Sequence, residues 1–346
     1  MLLLKSDEMN INNFDYYLPK ELIAQSPMDK RSDSKLLLMD KLNGNLSEDL
    51  FNNIINYFNE GDVLVLNNTK VLPARLNGIK EITNAKIEIF LLNNIKDNTW
   101  KCLGKPLKRL NVGDVVSFSN DFKCIIKDKR NNFVEVEFIY KGEFIDNINK
   151  YGEVPLPPYI NEKLDDDNKY QTVYAKELGS VAAPTAGLHF TYELLDKIKD
   201  KGVQILYVTL HVGIGTFKPV EEEDITKHKM HSEYFEISEE VVNKLNLAKL
   251  NNYKIYAVGT TTCRVLESVY KNNNFISTNG NTNIFIYPGY KFNAIDGLIT
   301  NFHLPKSSLL MLVSALSSLE YIKKAYNFAI NNNYRFFSFG DAMFIK

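Results

Sequence analysis

Apolar residues follow two different spacings along this chain, and the change of spacing marks its parts. Leu50, Phe51, Ile54, Ile55 and Phe58 fall on one helical face. Ser47 stands before them as an N-cap, Glu48 and Asp49 suit a first turn, and Gly61 suits a C-terminal stop. A helix is therefore predicted from Ser47 to about Phe58. Val63-Leu64-Val65-Leu66 follows as a short, fully apolar strand that runs into the polar loop Asn67-Asn68-Thr69-Lys70.

From about Leu72 to Tyr140 the period drops to two. Lys86-Ile87-Glu88-Ile89-Phe90, Val115-Val116-Ser117-Phe118 and Phe133 to Phe138 alternate, with turns at Gly113-Asp114 and Asn131-Asn132. No long helical period interrupts them, so a small antiparallel β-barrel inserted into the main chain path is expected.

After Gly152 helix and strand alternate. Helices are predicted at Thr191 to Lys201, from Ser238 to Leu250, at Arg264 to Tyr270, at Ser307 to Leu319 and at Tyr321 to Asn331. Strands are predicted at Val203 to Val212, Lys254 to Val258 and Ile284 to Ile286, with Phe336 to Ile345 closing the chain. The expected fold is a mixed α/β main domain with an inserted small antiparallel β-barrel domain. Its parts are residues 1–70 and 151–346 for the main domain and 71–150 for the barrel.

Composition changes this picture little. The 346 residues are 45% hydrophobic and 24% charged, as in a globular chain with a sizeable core. Net charge is −1, so any nucleic-acid site must be a local patch. Cys102, Cys124 and Cys263 form no CxxC pair, which argues against a zinc site or a disulfide scaffold. Met1 to Glu8 is too short and too soon acidic for a signal peptide. The most apolar later run, Leu309 to Leu316, falls well short of a membrane span. A reduced cytoplasm is the expected setting, with no membrane partner.

Candidate chemistry gathers in polar turns. All five histidines lie between residues 189 and 303. Each could be structural, but neutral imidazole can take or give a proton near working pH. His228 and His231 could share a helix face as metal ligands, yet no third ligand stands at suitable spacing, so no metal is expected. Asn68, Thr69 and Arg75 follow the first apolar strand, where α/β proteins place ligands. Thr185 and Gly187 belong to a run of small residues that lets backbone approach a ligand, ahead of a helix N-terminus. Gly213, Gly215 and Thr216 form a Gly-x-Gly turn after His211, without the third glycine of a dinucleotide fingerprint. Thr260, Thr261 and Thr262 make a hydroxyl-rich turn before Arg264. Asp296, Asn301 and His303 lie in a late polar stretch.

Taken in order, these segments resemble the S-adenosylmethionine:tRNA ribosyltransferase-isomerases of queuosine biosynthesis. The resemblance runs from Phe14 to Phe344. It rests on Asn67 to Leu76, Val154 to Ile160, Tyr170 to Phe190, Thr209 to Val220, Met230 to Tyr234, Val258 to Glu267, Asn301 to Ser314 and Tyr334 to Met343.

The resemblance implies a reaction. The ribosyl group of S-adenosylmethionine, a co-substrate, would pass to 7-aminomethyl-7-deazaguanine at the wobble position of a tRNA anticodon stem-loop. The product would be epoxyqueuosine in tRNA, with adenine and methionine released. No permanently bound cofactor is implied, and a monomer is expected. His189, His211, His231 and His303 are then expected to ring the reacting centre as acid and base. Arg75 and Arg264 would clamp carboxylate or phosphate. Thr260 and Thr261 with Asp296 would hold hydroxyls, and Asn68, Thr69, Thr185, Gly187, Gly213, Gly215, Thr216 and Asn301 would line the substrate site.

For tRNA there is one local hint. Residues 101–130 hold eight Lys or Arg against three Asp, a net of plus five. Lys105, Lys108 and Arg109 are expected to meet phosphates. Two other readings compete: an S-adenosylmethionine-dependent RNA methyltransferase, which would release S-adenosylhomocysteine, and a non-catalytic RNA-binding protein built around the barrel.

Overall fold

The structure is a computed structural model that describes residues 9–162, 164–213, 215 and 220–346. The chain divides into two compact units. One is Met1–Thr69, Pro157–Glu177 and Ala183–Lys346; the other is Lys70–Leu156 with Leu178–Ala182. Nothing in the hydrophobic pattern signals that Leu178–Ala182 joins the second unit.

In chain order the first strands are β1 (Lys35–Met39), β2 (Leu46–Leu50), β3 (Val63–Asn67) and β4 (Thr69–Val71). Leu36 to Met39 and all of β3 are buried, as continuous apolar runs should be in a sheet covered on both faces. The helix predicted from Ser47 starts later. Leu46–Leu50 is an edge strand antiparallel to β1, and a 3-10 helix occupies Phe51–Tyr57. The cap-like Ser47-Glu48-Asp49 therefore belongs to the strand. Asp49 does serve the helix, accepting from Asn53 Nδ2 and from the Tyr57 hydroxyl.

The second unit holds β5 (Arg75–Lys80), β6 (Lys86–Lys96), β7 (Thr99–Lys105), β8 (Val115–Ser119), β9 (Phe122–Lys129) and β10 (Val134–Tyr140). It also holds α1 (Phe144–Tyr151) and β11 (Gly152–Glu153). Each neighbouring pair is antiparallel. The order β5-β6-β7-β10-β9-β8 closes through a β5–β8 pairing, giving a six-stranded barrel without a free edge. Phe118, Phe122 and Phe138 cluster with Phe144 of α1. Lys80 Nζ and Asp114 Oδ2 form a buried pair at 2.6 Å. Helix α1 is absent from the sequence prediction.

The remaining strands are β12 (Glu177–Ser180), β13 (Gln204–Leu210), β14 (Glu233–Ile237), β15 (Ile255–Val258), β16 (Tyr270–Lys271), β17 (Asn274–Phe275), β18 (Thr278–Thr282), β19 (Gly297–Asn301) and β20 (Ala342–Ile345). The helices are α2 (Tyr192–Asp200), α3 (Glu239–Leu250), α4 (Gly259–Val269), α5 (Ser308–Leu316) and α6 (Leu319–Asn331). Thr191, Ser238, Ser307 and Ser318 cap α2, α3, α5 and α6 by accepting a backbone N–H three residues on.

Nine strands form the main sheet of the first unit, ordered β18-β14-β13-β3-β15-β19-β20-β1-β2. The central β13, β3, β15 and β19 are parallel. β20 runs against β19, and β1 is parallel to β20. The C-terminal ends of four strands and the N-terminal ends of two therefore meet along one sheet edge. The core beneath includes Phe51, Phe58, Phe190, Tyr256 and Phe344. Burying each such ring is worth roughly 1.5–3 kcal/mol.

Two further expectations change. Ile284 to Ile286 is not a strand, because Thr282 Oγ1 accepts the Ile284 N–H where a ladder bond would go, and β18 pairs with β14 instead. Helix α4 begins at Gly259, five residues before the expected Arg264. Gly259 has φ +85°, a left-handed turn that lets the helix start directly at the end of β15. No helix is long and apolar enough to cross a membrane among the described residues.

Candidate functional site

The polar edge of the main sheet is built by side chains that tie strand ends together. Asn67 ends β3. Its Nδ2 donates to Leu210 O at 3.0 Å and to Thr261 Oγ1 at 3.3 Å, and its Oδ1 accepts from Leu210 N and Thr69 N. Asn68 Oδ1 accepts from Thr209 Oγ1 at 2.8 Å. These contacts lock β3, β13 and α4 in register. They also direct Asn68 and Thr261 onto protein groups.

The threonines do not form the expected hydroxyl-rich turn. Thr260, Thr261 and Thr262 are buried in the first turn of α4. Thr262 Oγ1 donates to Val258 O at 2.7 Å. The Thr261 and Thr262 hydroxyls are thus used inside the fold because the helix begins at Gly259.

His211 follows β13. Its Nδ1 is 2.8 Å from Thr69 Oγ1, and that hydroxyl donates to Glu177 O at 3.4 Å. A hydroxyl has one proton, so Thr69 accepts from Nδ1–H and leaves Nε2 unprotonated. Among the described residues Nε2 has no partner. The ring stacks on Tyr234 at 5.8 Å between centroids. Burial lowers its pKa, against the pull of Glu177 and Glu236.

His189 is buried at the other side of the same edge. Nδ1 is 2.8 Å from Ser34 Oγ, and Asn301 Nδ2 donates to Nε2 at 3.2 Å. Asn301 Oδ1 accepts from Thr185 Oγ1 at 2.8 Å. The ring stacks on Phe51. Burial pushes its pKa down to about 4. Both ring nitrogens are engaged, so His189 organises this corner. From β13 to β19 is three strand spacings, about 14 Å, so His211 and the Asn301 corner lie at separate places along the edge.

His303 follows the end of β19, two residues after Asn301. Nε2 is 2.8 Å from Thr300 Oγ1, its N–H donates to the Tyr326 hydroxyl, and its carbonyl accepts from Tyr16. Burial takes its pKa to about 3. His231 is exposed and does not share a helix with His228, which ends the 3-10 turn Ile225–Lys227. Of the four histidines expected around one centre, His211 and His189 stand on this sheet edge, His303 follows the C-terminal end of β19, and His231 is exposed.

His231 and His228 line a cavity of about 260 Å³ with Gly215, Glu221, Glu222, Lys229, Met230, Glu233, Arg264, Ser308 and Leu309. Arg264, 4% exposed, donates Nη1 to Glu233 Oε2 and Nε to Ile284 O at 3.4 Å. Its Nη2 is buried without a partner. Glu233 Oε1 accepts the Gly213 N–H at 2.9 Å, joining the Gly-x-Gly turn to this wall. A Cβ on Gly215 would come within 2.2 Å of the His231 ring, so glycine is what lets that ring pack there. Thr216 lies outside the described residues.

Gly187, Asp296 and Arg75 each meet protein groups. A Cβ on Gly187 would lie 2.0 Å from the Tyr174 hydroxyl, so this glycine makes room for a tyrosine. Asp296 sits at the opposite, N-terminal end of β15. It accepts Ile255 N at 2.9 Å and pairs with Lys254 and Lys249. It cannot hold hydroxyls at the C-terminal edge. Arg75 lies on β5 of the barrel unit, with Nε 3.4 Å from Glu88. Burial pushes the Cys263 thiol up in pKa.

The barrel's positive charge is narrower than the count suggests. Lys123, Lys127 and Arg130 pair with Glu81, Glu137 and Asp128. Lys129 donates to Leu110 O, and Lys101 lies over Phe133. Lys105, Lys108 and Arg109, exposed around the 3-10 turn Leu107–Arg109, have no carboxylate partner among the described residues.

The sequence reading assigned no individual role to Glu233, Ser34 or Asn67. For Glu233 a signal existed. β14 buries positions 233, 235 and 237 and exposes 234 and 236, so Glu233 is a charge in the apolar phase of an alternating strand. A charge there needs a partner, and Arg264 is that partner.

Comparison with known proteins agrees with this architecture. A family model described as queuosine biosynthesis protein matches residues 11–345. A protein of Finegoldia magna named S-adenosylmethionine:tRNA ribosyltransferase-isomerase is 53% identical over 341 residues, covering 98% of this chain and 99% of its own. One of the same name from Staphylococcus haemolyticus is 53% identical over 342 residues, covering 97% and 100%. The crystal structure of S-adenosylmethionine tRNA ribosyltransferase from Thermotoga maritima is 36% identical, with a TM-score of 0.57, covering 96% of this chain and 100% of that one. With near full-length matches of this strength, the chain belongs to the queuosine biosynthesis protein family.

Proposed function

We propose that this chain transfers the ribosyl group of S-adenosylmethionine to tRNA and isomerises it. The acceptor is the aminomethyl group of 7-aminomethyl-7-deazaguanine at the wobble position, and the product is epoxyqueuosine. The observation that carries this reading is the near full-length, 53% identical match to relatives named for that activity.

The chemistry asks for a base first. A sulfonium acidifies its neighbouring C5′ protons, so a neutral imidazole suffices to remove one. His211 suits this role. Thr69 holds its tautomer with Nε2 free to accept, and burial keeps it neutral at working pH. The base need not be regenerated from solvent, because departing adenine requires a proton in return. His231, on the cavity wall, is the second proton-transfer candidate. His189 with Asn301, Thr185 and Ser34 is a positioning cluster. Removal of the sugar from the sulfonium releases methionine.

Contact with the anticodon stem-loop falls to Lys105, Lys108 and Arg109, whose charges no carboxylate neutralises among the described residues. The reaction draws on its sulfonium substrate for activation, so no permanently bound cofactor is needed. Its tRNA substrate places it in the cytoplasm. Incubation with S-adenosylmethionine and tRNA bearing the deazaguanine precursor tests the reading. Equal amounts of adenine and methionine are expected. S-adenosylhomocysteine would mean methyl transfer, and no turnover would leave a binding protein.

A further inference from the structure

We infer that the cavity beside Arg264 receives the amino-acid end of the sulfonium substrate, with Arg264 Nη2 reading its carboxylate. This rests on the ribosyl-transfer reading above and assigns one end of the substrate to one wall of the protein.

The argument starts from an unsatisfied group. Arg264 is 4% exposed. Nη1 is held by Glu233 and Nε by Ile284 O, which leaves Nη2 buried and unpartnered. A buried guanidinium N–H without an acceptor is costly, and the cavity of about 260 Å³ that Arg264 lines is where an acceptor can enter. Guanidinium geometry matches a carboxylate or a phosphate.

The wall charges separate these two. Glu221, Glu222 and Glu233 face Lys229 and Arg264, three carboxylates against two fixed cations, with His228 Nδ1 2.9 Å from Glu222 Oε2. A phosphate would meet this wall as a like charge. S-adenosylmethionine carries a sulfonium, an ammonium and a carboxylate, a net of +1. Its carboxylate finds Arg264, and its ammonium finds Glu221 and the Glu222 carboxylate that His228 also holds. Met230 and Leu309 offer apolar surface to the methylenes between. Glu233 has a positioning role: it holds the guanidinium on one side and the Gly213 N–H on the other.

The test compares S-adenosylmethionine with its decarboxylated analogue on the unaltered protein, reading adenine release with the tRNA acceptor. Loss of the carboxylate is expected to lower kcat/KM by about 10- to 100-fold, mostly through KM, as befits a charge-assisted hydrogen bond. In Arg264→Gln the two donors are expected to differ by less than about 3-fold. Equal use of both donors by the unaltered protein would overturn the inference, as would full discrimination in the variant. Should Arg264→Gln fail to fold, L-methionine and L-methioninol serve as inhibitors of the unaltered protein. Only methionine is expected to compete with the sulfonium substrate, and equal competition would overturn the inference. If no adenine is released at all, the ribosyl-transfer reading fails. Equilibrium binding of S-adenosylmethionine and its decarboxylated analogue then still decides: tighter binding of the former supports the assignment, and equal binding removes it.

Discussion

Thr69 Oγ1 lies 2.8 Å from His211 Nδ1 and donates its own O–H to Glu177 O, so one hydroxyl sets the tautomer of one imidazole. If His211 is the base, His211→Ala lowers kcat by about 10²- to 10⁴-fold. Thr69→Val, which releases the ring's orientation and tautomer, lowers kcat by about 10-fold with little change in KM, and Thr69→Ser restores it. Steady-state kinetics with saturating tRNA checks both. A fully active His211→Ala protein would remove the assignment.

The pH profile follows from the same residue. Burial lowers the His211 pKa from its usual value near 6.5. The unprotonated base therefore persists below pH 6.5, and kcat/KM is expected to hold its plateau there before falling. A profile that breaks above pH 7 on its acid limb would point to a different base.

His189 bears on stability instead. Its folded pKa of about 4 lies below the unfolded value near 6.5. The unfolded chain then binds the extra proton between these two values. Stability from this group is complete above pH 6.5 and is lost as pH falls through the window to 4. The whole effect is about 3 kcal/mol at most. His189→Gln should lose less stability than the unaltered chain between pH 6.5 and 4. Denaturant unfolding at several pH values reads this difference, and parallel curves would contradict it.

Reversing Lys105, Lys108 and Arg109 to Glu tests the barrel patch. The expected result is weaker tRNA binding and a salt slope smaller by about 2–3. S-adenosylmethionine binding should be unchanged. Unchanged tRNA affinity would show that these charges only face solvent.

Asp296→Ala separates structure from substrate contact. Its carboxylate pins Ile255 N and two lysines at the far end of β15. The variant should lose about 1–3 kcal/mol of stability while keeping the KM for S-adenosylmethionine. A raised KM with normal stability would return Asp296 to the substrate site.

Much of the fold was legible because local signals agreed with the global structure. The apolar run of β3 and the caps Thr191, Ser238 and Ser307 mark their elements without long-range information. Where the reading failed, two local signals competed. Ser47-Glu48-Asp49 has the chemistry of a helix start, but its backbone pairs with β1. Three consecutive threonines suggest a turn, since branched side chains and hydroxyls disfavour helix, yet Gly259 starts the helix ahead of them. The site was legible as a set of strand-end turns and not as a set of roles. Arg264 reads as a free clamp until Glu233, 31 residues away, is found against it. Asp296 differs from Asn301 only in lying at the opposite end of β19, which no spacing rule reveals.

The central claim is that sugar, and not methyl, moves from the sulfonium to RNA. S-adenosylmethionine labelled separately in its ribose carbons and in its methyl group tests it with one acceptor tRNA. The ribose label should enter the tRNA in step with adenine release, while the methyl label leaves with methionine. Methyl label in the tRNA with ribose left behind on S-adenosylhomocysteine would contradict the account.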